Sequence, residues 1–182
     1  MEDEFVKSQV FGREVRFRYA KRAAGYSLLF MRLAMGWILF WGGLEKLLDP
    51  TWSAAGYLAN AINPANPFVE VFVGMAGSTL VDSLVIWGLL LTGLGLLLGA
   101  FTRLCALFAA VMMFLFWLAA LQGGLFAFLP LEHGFVVNEH VIYILLLWGV
   151  SSFGAGQVLG LDGWLRKQAF VKEHSWMQYL LG

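Results

Sequence analysis

Four apolar stretches near membrane length constrain this chain more than any other feature: about Tyr26–Leu48, Leu84–Ala100, Leu104–Leu121 and Val141–Phe153. A helix climbs about 1.5 Å per residue, so crossing roughly 30 Å of hydrocarbon takes about 20 residues. The fourth stretch has only 13 wholly apolar residues. It has to recruit its flanks, from Asn138 or Glu139 to about Gly156. Glu139 and His140 then fall at the membrane edge, an unusual place for ionisable groups. With 60% apolar and 13% charged residues and a mean hydropathy of +0.74, the whole chain is a poor fit to a soluble domain. The expected fold class is an all-α membrane protein, a four-transmembrane-helix bundle with short interfacial helices in the first outer segment.

Several function classes drop out. The formal net charge is zero, and no basic stripe exists for nucleic-acid phosphates. The one cysteine, Cys105, excludes an internal disulfide, a CxxC pair and a CxxCH haem attachment site. No histidine lies in the first three spans, so bis-histidine haem ligation between helices is not expected. "GAGQVLG", residues 154–160, follows a membrane helix rather than a strand and is no dinucleotide fingerprint. No flavin or iron–sulfur signature is present.

Lysine and arginine set the expected orientation. Residues 1–26 hold Lys7, Arg13, Arg16, Arg18, Lys21 and Arg22; the second-to-third turn holds Arg103; the tail holds Arg166, Lys167 and Lys172. Segments 49–83 and 122–140 hold none. By the positive-inside rule both termini are expected in the cytoplasm of a multi-pass cell-membrane protein. The first span, preceded by charged residues, is expected to serve as its own targeting signal. This divides the chain into a basic segment (1–25), a membrane domain (26–156) and an interfacial tail (157–182), in which Trp164, Trp176 and Tyr179 suit a membrane surface.

Local signals place the connections. Asp49-Pro50 and Asn66-Pro67 each read as an N-cap followed by proline at the first helical position, predicting short helices over about 51–61 and 67–76. In "GAFTR", Gly99 ends one helix and Thr102 is expected to cap the next. Asp162 is expected to cap the polar segment after it. Gly36 and Gly43 share one face of the first span; Gly88, Thr92, Gly95 and Gly99 share one of the second. Such faces let helix backbones approach closely in lipid.

The costly groups are the candidate functional ones. On the first helix Arg32 and Lys46 fall within about 40° of each other, while Glu45 points nearly opposite. Arg32 either snorkels to inner phosphates or meets an inward anion or carboxylate. Lys46 either snorkels or pairs structurally, or else is the cation of an outward-facing polar pocket. Glu132-His133 recurs seven residues later as Glu139-His140, with Asn138 before the second pair. Asn138 suits an N-cap, with Glu139 favourably placed in the first turn. That does not account for His140, a group suited to proton exchange near neutral pH. The spacing matches no established metal-ligand motif, so no metal is assigned. The site expected from the residues is therefore His140 and Glu139 for proton handling, with Lys46, Arg32, Glu45 and Asn138 for substrate.

The order "R32…GW…F40WGGLEK46LLDP50TWSAAGYL", "GLLLTGLGLLLGAFTR103", "NEH140VIYILLL" and "GAGQVLGLD162" resembles the DoxX-like membrane proteins, and within them archaeal DoxD. The resemblance covers about residues 26–165; the family's glycine-rich ending commonly carries arginine where this chain has Gln157. It implies a membrane subunit of thiosulfate:quinone oxidoreductase, which oxidises thiosulfate to tetrathionate, passes electrons to quinone and works with a small separate DoxA subunit. Other readings stay open: a non-catalytic anchor or assembly factor for a redox complex, or a small-solute transporter. Membrane lipid is the expected partner, and a homo-oligomer is compatible with the sequence.

Overall fold

A computed structural model describes residues 3–60, 62–121 and 137–182. Glu132, His133 and the expected helix end at Ala61 lie outside these residues. Two strands, β1 (Asp3–Val10) and β2 (Arg13–Ala20), precede α1 (Lys21–Leu48). Two short helices follow, α2 (Ala55–Asn60) and α3 (Val69–Gly74), then α4 (Thr79–Leu98), α5 (Thr102–Ala119) and α6 (Glu139–Ser152). Two more, α7 (Asp162–Leu165) and α8 (Ala169–Glu173), lie in the tail.

The long helices close into a ring: α1 packs on α4, α4 on α5, α5 on α6, and α6 back on α1. Met35, Leu39, Leu96, Ala109, Leu147 and Val150 fill the middle. Helices α1, α4 and α5 are long and apolar enough to cross a membrane. Helix α6 is apolar but has 14 residues, and so is about 21 Å long. It begins at Glu139 because Asn138 caps it, and it stops at Ser152 because Gly154 turns left-handed, at φ 62°. The expected continuation toward Gly156 is instead a 3-10 turn over Ala155–Gln157.

The glycine faces meet different neighbours. A Cβ on Gly36 would come 2.9 Å from the Leu97 nitrogen, and one on Gly43 2.7 Å from the Leu90 nitrogen, so this face of α1 meets α4 backbone to backbone. On α4 the close approach is made by Gly93, whose Cβ would run into the Phe40 backbone. The Gly88–Gly95 face turns toward α5 and meets the ends of Met112 and Cys105. Spacing shows that residues share a face; it does not say which neighbour that face meets.

Residues 3–20, expected only as a basic segment, form an antiparallel hairpin with Val10 opposite Arg13. Its two-residue turn, Phe11-Gly12, has positive φ at both positions (49° and 74°), the signature of the tight hairpin turn whose twist matches the strands. Asparagine usually takes the first of those positions, which is why Phe-Gly gave no turn signal.

Capping also departs from the local reading. Asp49 forms a turn rather than starting a helix: its Oδ1 accepts from the Thr51 amide (2.9 Å) and hydroxyl (2.7 Å), and α2 begins only at Ala55. Those bonds, the hydroxyl first, hold the Asp49 carboxyl below its ordinary range. Asn66 accepts from the Phe68 amide at 2.8 Å, but its own amide caps the C-terminal end of α5, donating to Leu118 O (2.8 Å), Leu121 O (3.2 Å) and Ala119 O (3.3 Å).

Candidate functional site

Polar groups collect at the two ends of the bundle, with Arg32 at one and Lys46 at the other. The Arg32 end is built from helix termini. Helix α4 finishes at Gly99, whose left-handed φ of 64° lets the Ala100 amide reach Gly95 O at 2.8 Å and the Gly99 amide reach Leu96 O at 3.1 Å. This double closure needs a residue without a side-chain penalty, as expected of Gly99. Two residues later Phe101 also takes a left-handed φ of 49° and α5 starts at once.

Thr102 does not cap α5; its hydroxyl is buried and has no partner among the described residues. The cap comes from Asp162, about sixty residues further along the chain. The Asp162 carboxylate is fully buried and accepts from the amides of Phe101 (2.7 Å), Thr102 (3.0 Å) and Gly182 (2.8 Å). Three charge-assisted bonds, two of them from the N-terminus of α5, offset the cost of burying that charge. Asp162 makes no side-chain cap to its own helix α7, contrary to expectation.

Arg32 is 1% exposed, so it does not snorkel. Its Nη1 donates to Ala155 O at 2.7 Å and Val158 O at 3.0 Å, and Nη2 to Leu159 O at 3.4 Å. No carboxylate lies within ion-pair reach among the described residues. The carbonyls belong to the turn that ends α6, and the nearby Arg103 Nε serves Ser151 O at 3.3 Å. Backbone that leaves helical geometry within a membrane protein has to be satisfied by other protein groups, and two arginines do so here. The glycines make it sterically feasible: a Cβ on Gly156 would collide with Asp162 and Thr102, and one on Gly160 with Gly156 O. The 154–160 glycines thus form a close-packed cradle.

At the other end, Lys46 Nζ donates back to Gly42 O at 3.1 Å and stands 5.4 Å from the Trp52 ring centroid. Glu45 is exposed on the opposite side of α1. Asn138 accepts from the His140 amide at 3.1 Å and the Val141 amide at 3.3 Å, the expected N-cap of α6. The His140 side chain is 20% exposed and that of Glu139 62%. His140 Nδ1 lies 3.1 Å from the Asn138 amide nitrogen and 3.6 Å from Glu139 Oε1, and its ring meets the edge of Phe116 at 6.1 Å. The structure therefore brings Asn138, Glu139 and His140 together. It leaves Lys46 with Gly42 and Trp52, without an ion pair to Glu139, and Glu45 apart from both.

Among the described residues no three His, Cys, Asp or Glu side chains group as metal ligands. The groups that sequence reasoning missed are Asp162 as the α5 cap, Asn66 at the other end of α5, and Asp82, which accepts from the Ala54 amide at 2.8 Å. One signal was present: α5 opens on Phe101-Thr102 without an acidic residue, so its buried amides needed a partner from elsewhere.

The DoxX family model covers residues 27–122, more than half the chain and all of α1 through α5 apart from the first turns of α1. The chain belongs to the DoxX family. Comparison with curated proteins and with solved structures gave no match. Family membership and three span-length apolar helices make this a DoxX membrane protein. The matched region includes Arg32 and Lys46 but stops short of Asn138, His140 and Asp162.

Proposed function

We propose that this DoxX protein is the membrane subunit of a quinone-linked oxidoreductase, with α6 and its flanks completing a fourth crossing, the short helices at the membrane interface and both termini in the cytoplasm. One observation carries the reading: the partly buried His140 ring, held at the end of the bundle between Phe116, Asn138 and Glu139. His140 Nδ1 faces both the side-chain amide of Asn138 and the carboxylate of Glu139. A ring poised between such partners suits the exchange of protons with a reducible ligand, and the neighbouring Phe116 suits a flat one.

The resemblance to DoxD supplies the finer reaction. Two thiosulfate ions join through a new sulfur–sulfur bond as tetrathionate and release two electrons; quinone takes up those electrons with two protons. His140 and Glu139 handle the protons, Lys46 attracts the anion, and Glu45, a carboxylate on the opposite side of α1, takes no part in holding it. Arg32 is left to hold the fold. Electrons pass through quinone or through a separate DoxA-like subunit. A non-catalytic anchor is the second reading, favoured by the commitment of Arg32 and Asp162 to backbone groups. Transport would need a polar path between the ends, yet Arg32 and Lys46 both turn back to carbonyls.

His140→Ala is expected to lower quinone-linked turnover with thiosulfate on the order of 10²-fold, the usual scale for removing a general acid–base group. Lys46→Ala should raise KM for thiosulfate more than it lowers kcat. Folding is followed separately by thermal unfolding in detergent. Full turnover in both variants would move the protein to the anchor reading. Orientation has its own test. A cysteine at the exposed Ala65 should react with an impermeant thiol reagent in intact cells, and one at the exposed Gln178 should not. Labelling at Gln178 from outside would reverse the topology.

A further inference from the structure

The N-terminal hairpin has two unlike faces and neither is covered. Cross-strand partners share a face, so Phe5 and Arg18, Lys7 and Arg16, and Gln9 and Glu14 line one side. Val6 and Phe17, Ser8 and Val15, and Val10 and Arg13 line the other. Lys7 directly opposite Arg16 places like charges together, and the contact of Arg16 Nε with Glu14 on this face is long and exposed, at 3.9 Å. Over residues 3–22 there are six cations against three carboxylates. Phe5 is 73% exposed, and Phe11, alone at the tip, is 102% exposed while holding a left-handed backbone. A large apolar ring at a position that favours asparagine or glycine serves neither the turn nor the fold. A two-stranded hairpin is also marginal in water by itself.

Strand β2 ends at Ala20 and the membrane helix α1 starts at Lys21, with no linker between them. The hairpin, about 26 Å long at 3.3 Å per residue, is therefore held beside the membrane surface from which α1 emerges. We infer that it is a lipid-docking element: its Lys7/Arg16 pair, with Arg13 and the Lys21-Arg22 step, engages anionic headgroups, and Phe11 enters the headgroup layer. Charge complementarity selects the occupant. Basic residues close to an anionic leaflet each gain about fivefold in binding, and the attraction fades beyond a Debye length. Aromatic rings prefer that same interfacial depth.

The test uses the full chain in lipid nanodiscs, with Cys105 replaced by alanine and a nitroxide attached through Gln9→Cys. Its accessibility to oxygen and to a water-soluble nickel chelate reports depth. In discs containing phosphatidylglycerol the label should favour oxygen, and in phosphatidylcholine alone, or at high salt, it should shift toward the chelate. Neutralising Lys7 and Arg16 to glutamine should lower the docked-to-undocked ratio roughly thirtyfold. Phe11→Asn creates Asn-Gly, a better turn, so the hairpin stays folded while depth decreases. A label equally open to the chelate in both lipids overturns the proposal. So does protection that persists in detergent or ignores lipid charge, which would indicate a second copy or a partner protein on the hairpin.

Discussion

Arg32→Lys is expected to lower the stability of the bundle by roughly 2–5 kcal/mol, even though the charge is kept. The guanidinium fans out to Ala155, Val158 and Leu159, three carbonyls that no single ammonium can serve in that geometry. Hydrogen bonds involving a charged group contribute about 1.5–3 kcal/mol each, and a buried carbonyl left without a donor adds its desolvation cost. The lysine chain would also have to hold its charge inside a close-packed cradle. Thermal unfolding in detergent should show the loss. Limited proteolysis should show earlier cutting beyond Gly154, because the turn that Arg32 holds leads directly into the tail. Unchanged stability and unchanged cutting would mean that the carbonyl contacts contribute nothing, and would return Arg32 to the list of ligand-binding candidates.

Asp162→Ala should cost as much or more, on the order of 3–9 kcal/mol, since it strands three amides at about 1–3 kcal/mol each. It disconnects the start of α5 from Gly182, and with it the contact by which the Leu104 amide meets Leu180 O at 3.3 Å. Asp162→Asn separates the contributions. It keeps one acceptor oxygen but turns an NH₂ group toward amide donors, so it should fall between wild type and alanine. Asparagine matching wild type would show that the negative charge is dispensable at this helix N-terminus. Both variants should be read beside His140→Ala, which sits at the other end and is expected to affect turnover with little change in unfolding temperature.

The candidate site was legible wherever its cause was local. Asn138 could be read as the cap of α6 because a cap bonds to amides two and three residues ahead. His140 and Glu139 came with it, fixed beside Asn138 by the same turn. No such local cause joins Lys46 to these residues. Helical spacing gave Lys46 a direction but no distance to α6, and its tether to Gly42 and Trp52 sets it apart. The hairpin left a trace in the sequence, Val15, Phe17 and Tyr19 alternating with charged residues. That trace was outweighed by the charge of the segment and hidden by a turn whose first residue is phenylalanine.

The sequence alone determined the apolar spans, the helix stop at Gly99, the cap at Asn138 and membership of a membrane fold. Each follows from bilayer thickness or from bonds within a few residues, so a short window carries all the information. Tertiary structure alone decided that Arg32 is buried on carbonyls more than 120 residues away, that Asp162 starts α5, and that Asn66 ends it. It also decided that Gly93 rather than Gly88 meets α1. The reason is common to the three polar cases. A membrane protein cannot leave polar backbone unpaired at its helix ends, but any donor or acceptor of the right charge can satisfy it, and only the packed bundle selects which one is near.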